Sequence, residues 1–330
     1  MGIWSGVALA LFTATRALIY FRYGAYVTDI PLYESAGTAA REGLSAYCDY
    51  WFPYPPLSLP LIDLPALLSR SEAGYRNVFR AEMLIFDAVC FAGLWFFLRD
   101  RTTANPRRRG IALCLYAVLG LTVGHLLLDR LDIVMTGIFI WSLYFYTSTR
   151  SWARHVAYGL LLAGALIKLL PLFLIPIFMV FEAFRDEGRW PDVRRALWPV
   201  LWIAAPFTAV VLLYNGFICE KLIHELSQHG ARGIQIESNW ALPLIFSRIQ
   251  GNWDIRVDYV HGAFHIVDTG VPRAYLFLSK YAGFASLLAF YGLLARRFRR
   301  SLADTGRLSP ADIVFLFYSP ILLLIVSQRV

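Results

Sequence analysis

Apolar residues dominate the chain in long unbroken stretches, and the polar residues fall in the short gaps between them. A membrane-crossing helix needs about 20 mostly apolar residues. Ile3–Phe21, Asn77–Leu98, Ile111–Leu128, Asp132–Thr147, Ala196–Tyr214, Arg273–Ala295 and Ala311–Ser327 meet that description. Ile3–Phe21 lacks the basic start and small-residue end of a cleavable signal. Pro55–Ser69 is apolar but short and broken by prolines, and reads as an amphipathic, interfacial or re-entrant helix. Val156–Phe184 is too long for one upright span and carries Lys168, Pro171 and Pro176 in its middle.

Arginine settles the two ambiguous stretches. Of the 330 residues, 58% are hydrophobic, 16% are charged and the formal net charge is +8, yet Lys168, Lys221 and Lys280 are the only lysines. Soluble domains carry about 25% charged residues, so this composition belongs in lipid and excludes a soluble Rossmann enzyme. The arginines cluster between apolar runs rather than on a nucleic-acid-binding face, so no nucleic-acid partner is expected. The dense groups are Arg99–Arg109, Arg150 with Arg154, Arg185–Arg195 and Arg296–Arg307. They share the cytoplasmic side if Pro55–Ser69 does not cross and Val156–Phe184 forms two short spans turning near Lys168.

The expected fold class is therefore an all-α polytopic membrane protein of about nine spans, N-terminus cytoplasmic. Two large loops then face outward, 22–76 and 215–272, with tight turns at Asp129–Asp132 and Lys168. Loops longer than a connection needs usually carry function. No internal repeat is evident, which weakens an inverted-repeat transporter as the alternative.

The outer loops hold the candidate chemistry. Asp29, shortly after the first span and among aromatics, suits a general base, or else the N-cap of a helix starting at Pro31. In Asp129-Arg130-Leu131-Asp132, Arg130 could hold a phosphate, or the turn's own charges could pair with one another. Lys168 either snorkels or meets an anion, and Arg16 reads as snorkelling. His224-Glu225-Leu-Ser-Gln-His229 has one residue too many for a zincin helix, whereas His261 and His265 have the spacing of a helical pair without a nearby acid. No metal ligand is assigned on these spacings, and dependence on a divalent metal stays open. No CxxC pair occurs among the four cysteines. Cys48 and Cys219 fall in the two outer loops, where a disulfide would need an oxidising compartment.

Taken together, the segments Asp29-Ile-Pro-Leu-Tyr33, Tyr47-Cys-Asp49 leading to Tyr54-Pro55-Pro56-Leu57, Arg130-Leu-Asp132, Lys168-Leu-Leu-Pro171-Leu and His229-Gly-Ala-Arg232-Gly-Ile-Gln235-Ile-Glu237-Ser238 resemble the GT-C membrane glycosyltransferases. The closest likeness is to the bacterial polyprenyl-phosphate-mannose-dependent mannosyltransferases, over nearly the whole chain. The resemblance implies one transmembrane catalytic domain over 1–330, a catalytic base at Asp29, and Arg130, Lys168 and Arg232 as ligands of the donor phosphate. Glu34, directly after the first segment, and Asp49, Tyr54, Asp132, His229 and Glu237, within the matching segments, are further candidates. It implies inverting transfer from a polyprenyl-phosphate sugar, mannose first, to a glycolipid or polysaccharide hydroxyl on the outer face of a bacterial plasma membrane. A flippase or transporter is the rival reading. The sequence departs from the pattern at Pro53, where relatives often carry an acid. It also ends at Val330, where such proteins continue with a Ser-Pro-Gln-Tyr segment and further spans, so a longer parent chain is expected.

Overall fold

The computed structural model describes residues 3–22, 28–100, 105–124, 126–183, 192–218, 220–224, 234–235, 238–251, 255–260, 263–267 and 271–305. Helices account for most of them. In chain order these are α1 (Ile3–Arg22), α2 (Ile30–Arg41), α3 (Leu59–Leu68), α4 (Glu72–Asp100), α5 (Pro106–Val123), α6 (Leu126–Asp129), α7 (Asp132–Tyr146), α8 (Ser151–Ile167), α9 (Ile175–Ala183), α10 (Val193–Phe217), α11 (Ala241–Ile249) and α12 (Arg273–Thr305). Three of them, α1, α4 and α10, are long and apolar enough to cross a membrane. The all-α membrane fold therefore stands. The apolar run Ala311–Ser327 lies outside the described residues.

By contact the chain divides into two compact units, Met1–Leu172 with Trp202–Val210, and Phe173–Leu201 with Val211–Val330. In the first unit α1 packs along α5, α7 packs against both α4 and α8, and α2 packs on α3. Helix ends follow local chemistry. Asn105 caps α5, its side chain accepting from the Arg108 backbone N–H ahead of a proline-initiated first turn. As the position of Lys168 implied, the long stretch Val156–Phe184 is interrupted there. Lys168 is extended (φ −151°, ψ 136°), and the chain continues as a 3₁₀ turn, Leu170–Leu174, into α9. Pro55–Ser69 is also helical, a 3₁₀ turn at Pro56–Ser58 followed by α3. It fits tightly under α2: a Cβ on Gly37 would come within 2.8 Å of Ala66 Cβ and 2.9 Å of the Ile62 carbonyl.

Arg16 does not snorkel. It is 2% exposed, deep among α1, α4 and α5. Its Nε donates to Asp87 Oδ2 at 2.5 Å and Nη2 to Oδ1 at 3.3 Å, while Nη1 donates to the Ala117 carbonyl at 2.7 Å. Tyr116 donates its hydroxyl to Asp87 Oδ1 at 2.5 Å, and the guanidinium lies 4.7 Å from the Phe12 ring centroid. Gly120 leaves the space for it, since a Cβ there would sit 2.4 Å from Arg16 Nη1. A charge this far inside survives because an acid on the neighbouring helix matches it and every donor has a target.

The second unit holds a fold that the reading of 215–272 as a loop did not contain. Strands β1 (Ile234–Gln235), β2 (Arg256–Val260) and β3 (Ala263–Val267) form an antiparallel sheet in the order β1-β3-β2. Ile234, Ile266, Ala241, Leu244, Ile255 and Val271 build a separate small core with α11. His265 lies on β3 opposite Asp258 and Gln235, on a strand rather than a helix face, and His261 lies outside the described residues. Cys90 and Cys114 are free, and Cys48 is disulfide-bonded. Cys219 lies outside the described residues.

Candidate functional site

The chain enters α2 through Asp29-Ile30-Pro31, with proline fixing the first turn. Asp29 occupies the N-cap position but makes no capping hydrogen bond with its side chain. Its carboxylate is turned to other work: Tyr33, one helical turn on, donates its hydroxyl to Asp29 Oδ2 at 3.3 Å. The hydroxyl of Tyr54 lies 3.2 Å from that of Tyr33. A phenol has one proton, so a Tyr33 that serves Asp29 takes its bond with Tyr54 as acceptor.

An unbroken run of rings holds these hydroxyls in place. Tyr47 contacts Phe52 and Phe52 contacts Tyr54, each at 5.8 Å between centroids; Tyr54 meets Tyr33 at 5.8 Å, and Tyr33 meets Phe79 of α4 at 5.2 Å. Tyr47 is buried at φ +69°, a backbone state costing about 1–3 kcal/mol in a residue with a side chain. Its hydroxyl donates to the Tyr54 carbonyl at 2.5 Å. That bond ties the strained turn to the tyrosine beside the site.

The turn between α6 and α7 supplies the charges. Each of its charged members has an ion-pair partner outside the turn. Asp129, fully buried, accepts both arms of Arg80 from α4, Nε at 2.6 Å and Nη2 at 3.0 Å. Arg130 Nε lies 3.4 Å from Asp29 Oδ2. Asp132, the first residue of α7, is paired with Lys168 at the end of α8. The break at Lys168, which frees that side chain from the helix, is what brings the ammonium to this point.

Five residues singled out in the sequence thus meet in one cluster: Asp29, Tyr54, Arg130, Asp132 and Lys168. Burial raises the Asp29 carboxyl above the ordinary aspartate range, and Arg130, then Lys168, counter the rise. Asp132 adds to it, and the Tyr33 hydroxyl opposes it. Burial likewise pushes the Tyr33 phenol well above the usual tyrosine range, so it stays a proton donor. The Asp29 side chain keeps 23% exposure and Arg130 keeps 26%, enough for a reactant to reach both.

Other candidates fall elsewhere. Glu34 has Glu72 and Arg76 as its charged neighbours. Asp49 is exposed and accepts from the Ser45 backbone N–H at 2.7 Å, closing a turn. His229, Arg232 and Glu237 lie outside the described residues. Among the described residues no group of three or more His, Cys, Asp or Glu side chains comes together to hold a metal ion. Tyr33 and Arg80 were missed in the sequence as site residues. Arg80 left a usable signal, since an arginine inside the apolar run of α4 demands a buried acid.

The sequence pattern of Glycosyltransferase family 87 matches residues 51–327. No curated protein and no solved structure matches the chain.

Proposed function

The chain belongs to Glycosyltransferase family 87 and is a membrane glycosyltransferase, and on that premise we propose that it performs inverting transfer from a polyprenyl-phosphate sugar, with Asp29 as the base. The observation that carries this reading is the cluster itself. A partly buried carboxylate stands beside two cations, Arg130 and Lys168, with the hydroxyls of Tyr33 and Tyr54 next to it.

Each part has a task in the reaction. Asp29 takes the proton of the acceptor hydroxyl as that oxygen bonds to C1 of the sugar. The bond from C1 to the phosphate oxygen breaks on the opposite face, and its electron pair leaves with the lipid phosphate. No protein nucleophile intervenes, so configuration at C1 inverts. Arg130 and Lys168 are the cations available to the phosphate as its charge grows, and the sequence resemblance alone adds Arg232 as a candidate. Tyr33 holds the carboxylate through its hydroxyl.

The polyprenyl tail stays in lipid. Mannose is the proposed sugar, and a glycolipid or polysaccharide hydroxyl the proposed acceptor. The disulfide at Cys48, in the same loop as Asp29, supports a site on the outer, oxidising face of a bacterial membrane. The arginine-rich segments between other apolar runs, read as cytoplasmic, support the same orientation.

The test is transfer of radiolabel from polyprenyl-phosphate-mannose in membranes carrying the full chain or its Asp29→Asn variant. Label appearing in a lipid or polysaccharide product only with Asp29 intact is the expected result. Equal transfer by the variant overturns the assignment of the base.

A further inference from the structure

Phe79 and Arg80 are consecutive residues of α4, and they hold the two halves of the site. Phe79, fully buried, packs against the Tyr33 ring, whose hydroxyl bonds Asp29. Arg80, 8% exposed, grips Asp129 with both arms, and Asp129 is followed directly by Arg130. One turn of one helix therefore sets the distance between the carboxylate and its cation. We propose that Arg80 is a positioning residue for transfer: through Asp129 it fixes the turn that presents Arg130 to Asp29.

The chemistry of the pair suits that task. A guanidinium bound through two arms fixes the carboxylate's plane as well as its place, which a single ammonium contact does not. Leu128 and Leu131 bury the flanks of the turn, and the Arg80 pair is what holds Asp129 within it. The helix before it, α6, has four residues, and Leu131 has no side-chain cap to offer α7. The second buried pair of this unit, Arg16 with Asp87, is as enclosed and as short, but it joins α1, α4 and α5 and leads to no site residue. It is the natural control for a purely structural contribution.

The inference rests on Asp29 being the base, so its test reads Asp29 directly as well as transfer. The groups facing Asp29 are Arg130, Lys168, Asp132, Tyr33 and Tyr54. Of these Arg130 exerts the strongest charge effect, and it favours the ionised carboxylate. Loosening the turn withdraws that effect, so Asp29 must hold its proton to higher pH. The full chain in detergent is titrated by infrared difference spectroscopy, with the Asp29 carboxyl band identified by its loss in Asp29→Asn.

In Arg80→Lys the midpoint of that band is expected to rise by about 1 pH unit, given the usual effect of a cation at this range. Transfer should fall on the order of 100-fold for a misplacement of about 1 Å. Combining Arg80→Lys with Asp129→Glu, which restores the reach of the pair, should return both values towards wild type. Arg16→Lys should leave the Asp29 midpoint where it is.

An unchanged midpoint in Arg80→Lys overturns the proposal, and so does an equal shift in Arg16→Lys, which would mean general loosening. Should Arg80→Lys fail to fold, Asp129→Asn carries the same test with the same expected sign. Transfer that persists in Asp29→Asn while the midpoint still responds to Arg80 defeats the assignment of the base and leaves the link from Arg80 to Asp29 standing.

Discussion

Asp29 Oδ2 and Arg130 Nε stand 3.4 Å apart, one at the mouth of α2 and the other in the turn before α7, each with about a quarter of its side chain exposed. A carboxylate kept close to a cation, but not locked to it by short bonds, can be ionised at rest and still reach for a proton. That balance determines what substitutions here should do.

Replacing Asp29 by Asn keeps the shape and removes the base. General-base catalysis is worth about 10²–10⁴-fold, so transfer should drop by at least about 100-fold with membrane insertion unchanged. Initial rates with matched amounts of membrane-inserted protein measure it.

The acid side of the pH–rate profile follows from the same group. Asp29 must be deprotonated to act, and burial raises its pKa above the ordinary aspartate value. Activity should therefore decline, as pH falls, at a higher pH than an exposed aspartate would give. Arg130→Gln removes the strongest opposing charge, so it should move the decline higher still. A profile whose acid limb moves lower in that variant contradicts the arrangement.

The second cation is predicted to act on the donor. Lys168, paired with Asp132, keeps about a third of its side chain exposed. Lys168→Gln should raise KM for the lipid-phosphate donor more than for the acceptor, and Arg232→Ala should do the same. Donor and acceptor titrations of each variant separate the two effects.

The Arg16–Asp87 pair makes a prediction about stability rather than rate. Removing one member leaves a buried charge alone, and such losses cost about 3–5 kcal/mol. Arg16→Met and Asp87→Leu should each lower the melting temperature in detergent sharply, and the double variant should recover much of the loss. Additive losses in the double variant would deny the coupling between them.

Much of the site was legible in the sequence. Asp29, Arg130, Asp132 and Lys168 stand out because charge near apolar runs is costly and calls for a reason. The break at Lys168 could be read from the length of its run and from the arginines flanking it. Partner choice was not legible. Whether Asp129 pairs with Arg130 or with Arg80 depends on how helices pack, and Arg16 looks like a snorkelling residue until Asp87 is placed beside it. The pairing of β2 with β3 was written more plainly, in the alternation Val257-Asp258-Tyr259. It was obscured by reading the whole stretch as a connection.

Asp132 and Asp29 also bear on how a cycle ends. Each cation of the cluster has a carboxylate of its own, so the two acids and two bases balance before any donor arrives. A departing lipid phosphate, which leaves more negative than it came, must hold those cations against neighbours that never diffuse away. In the proposed transfer Asp132 is a resident competitor for Lys168 throughout, and Asp29 becomes one for Arg130 once it has shed the proton it took from the acceptor. Product inhibition should accordingly be weak, and it should deepen when Asp132 is made neutral.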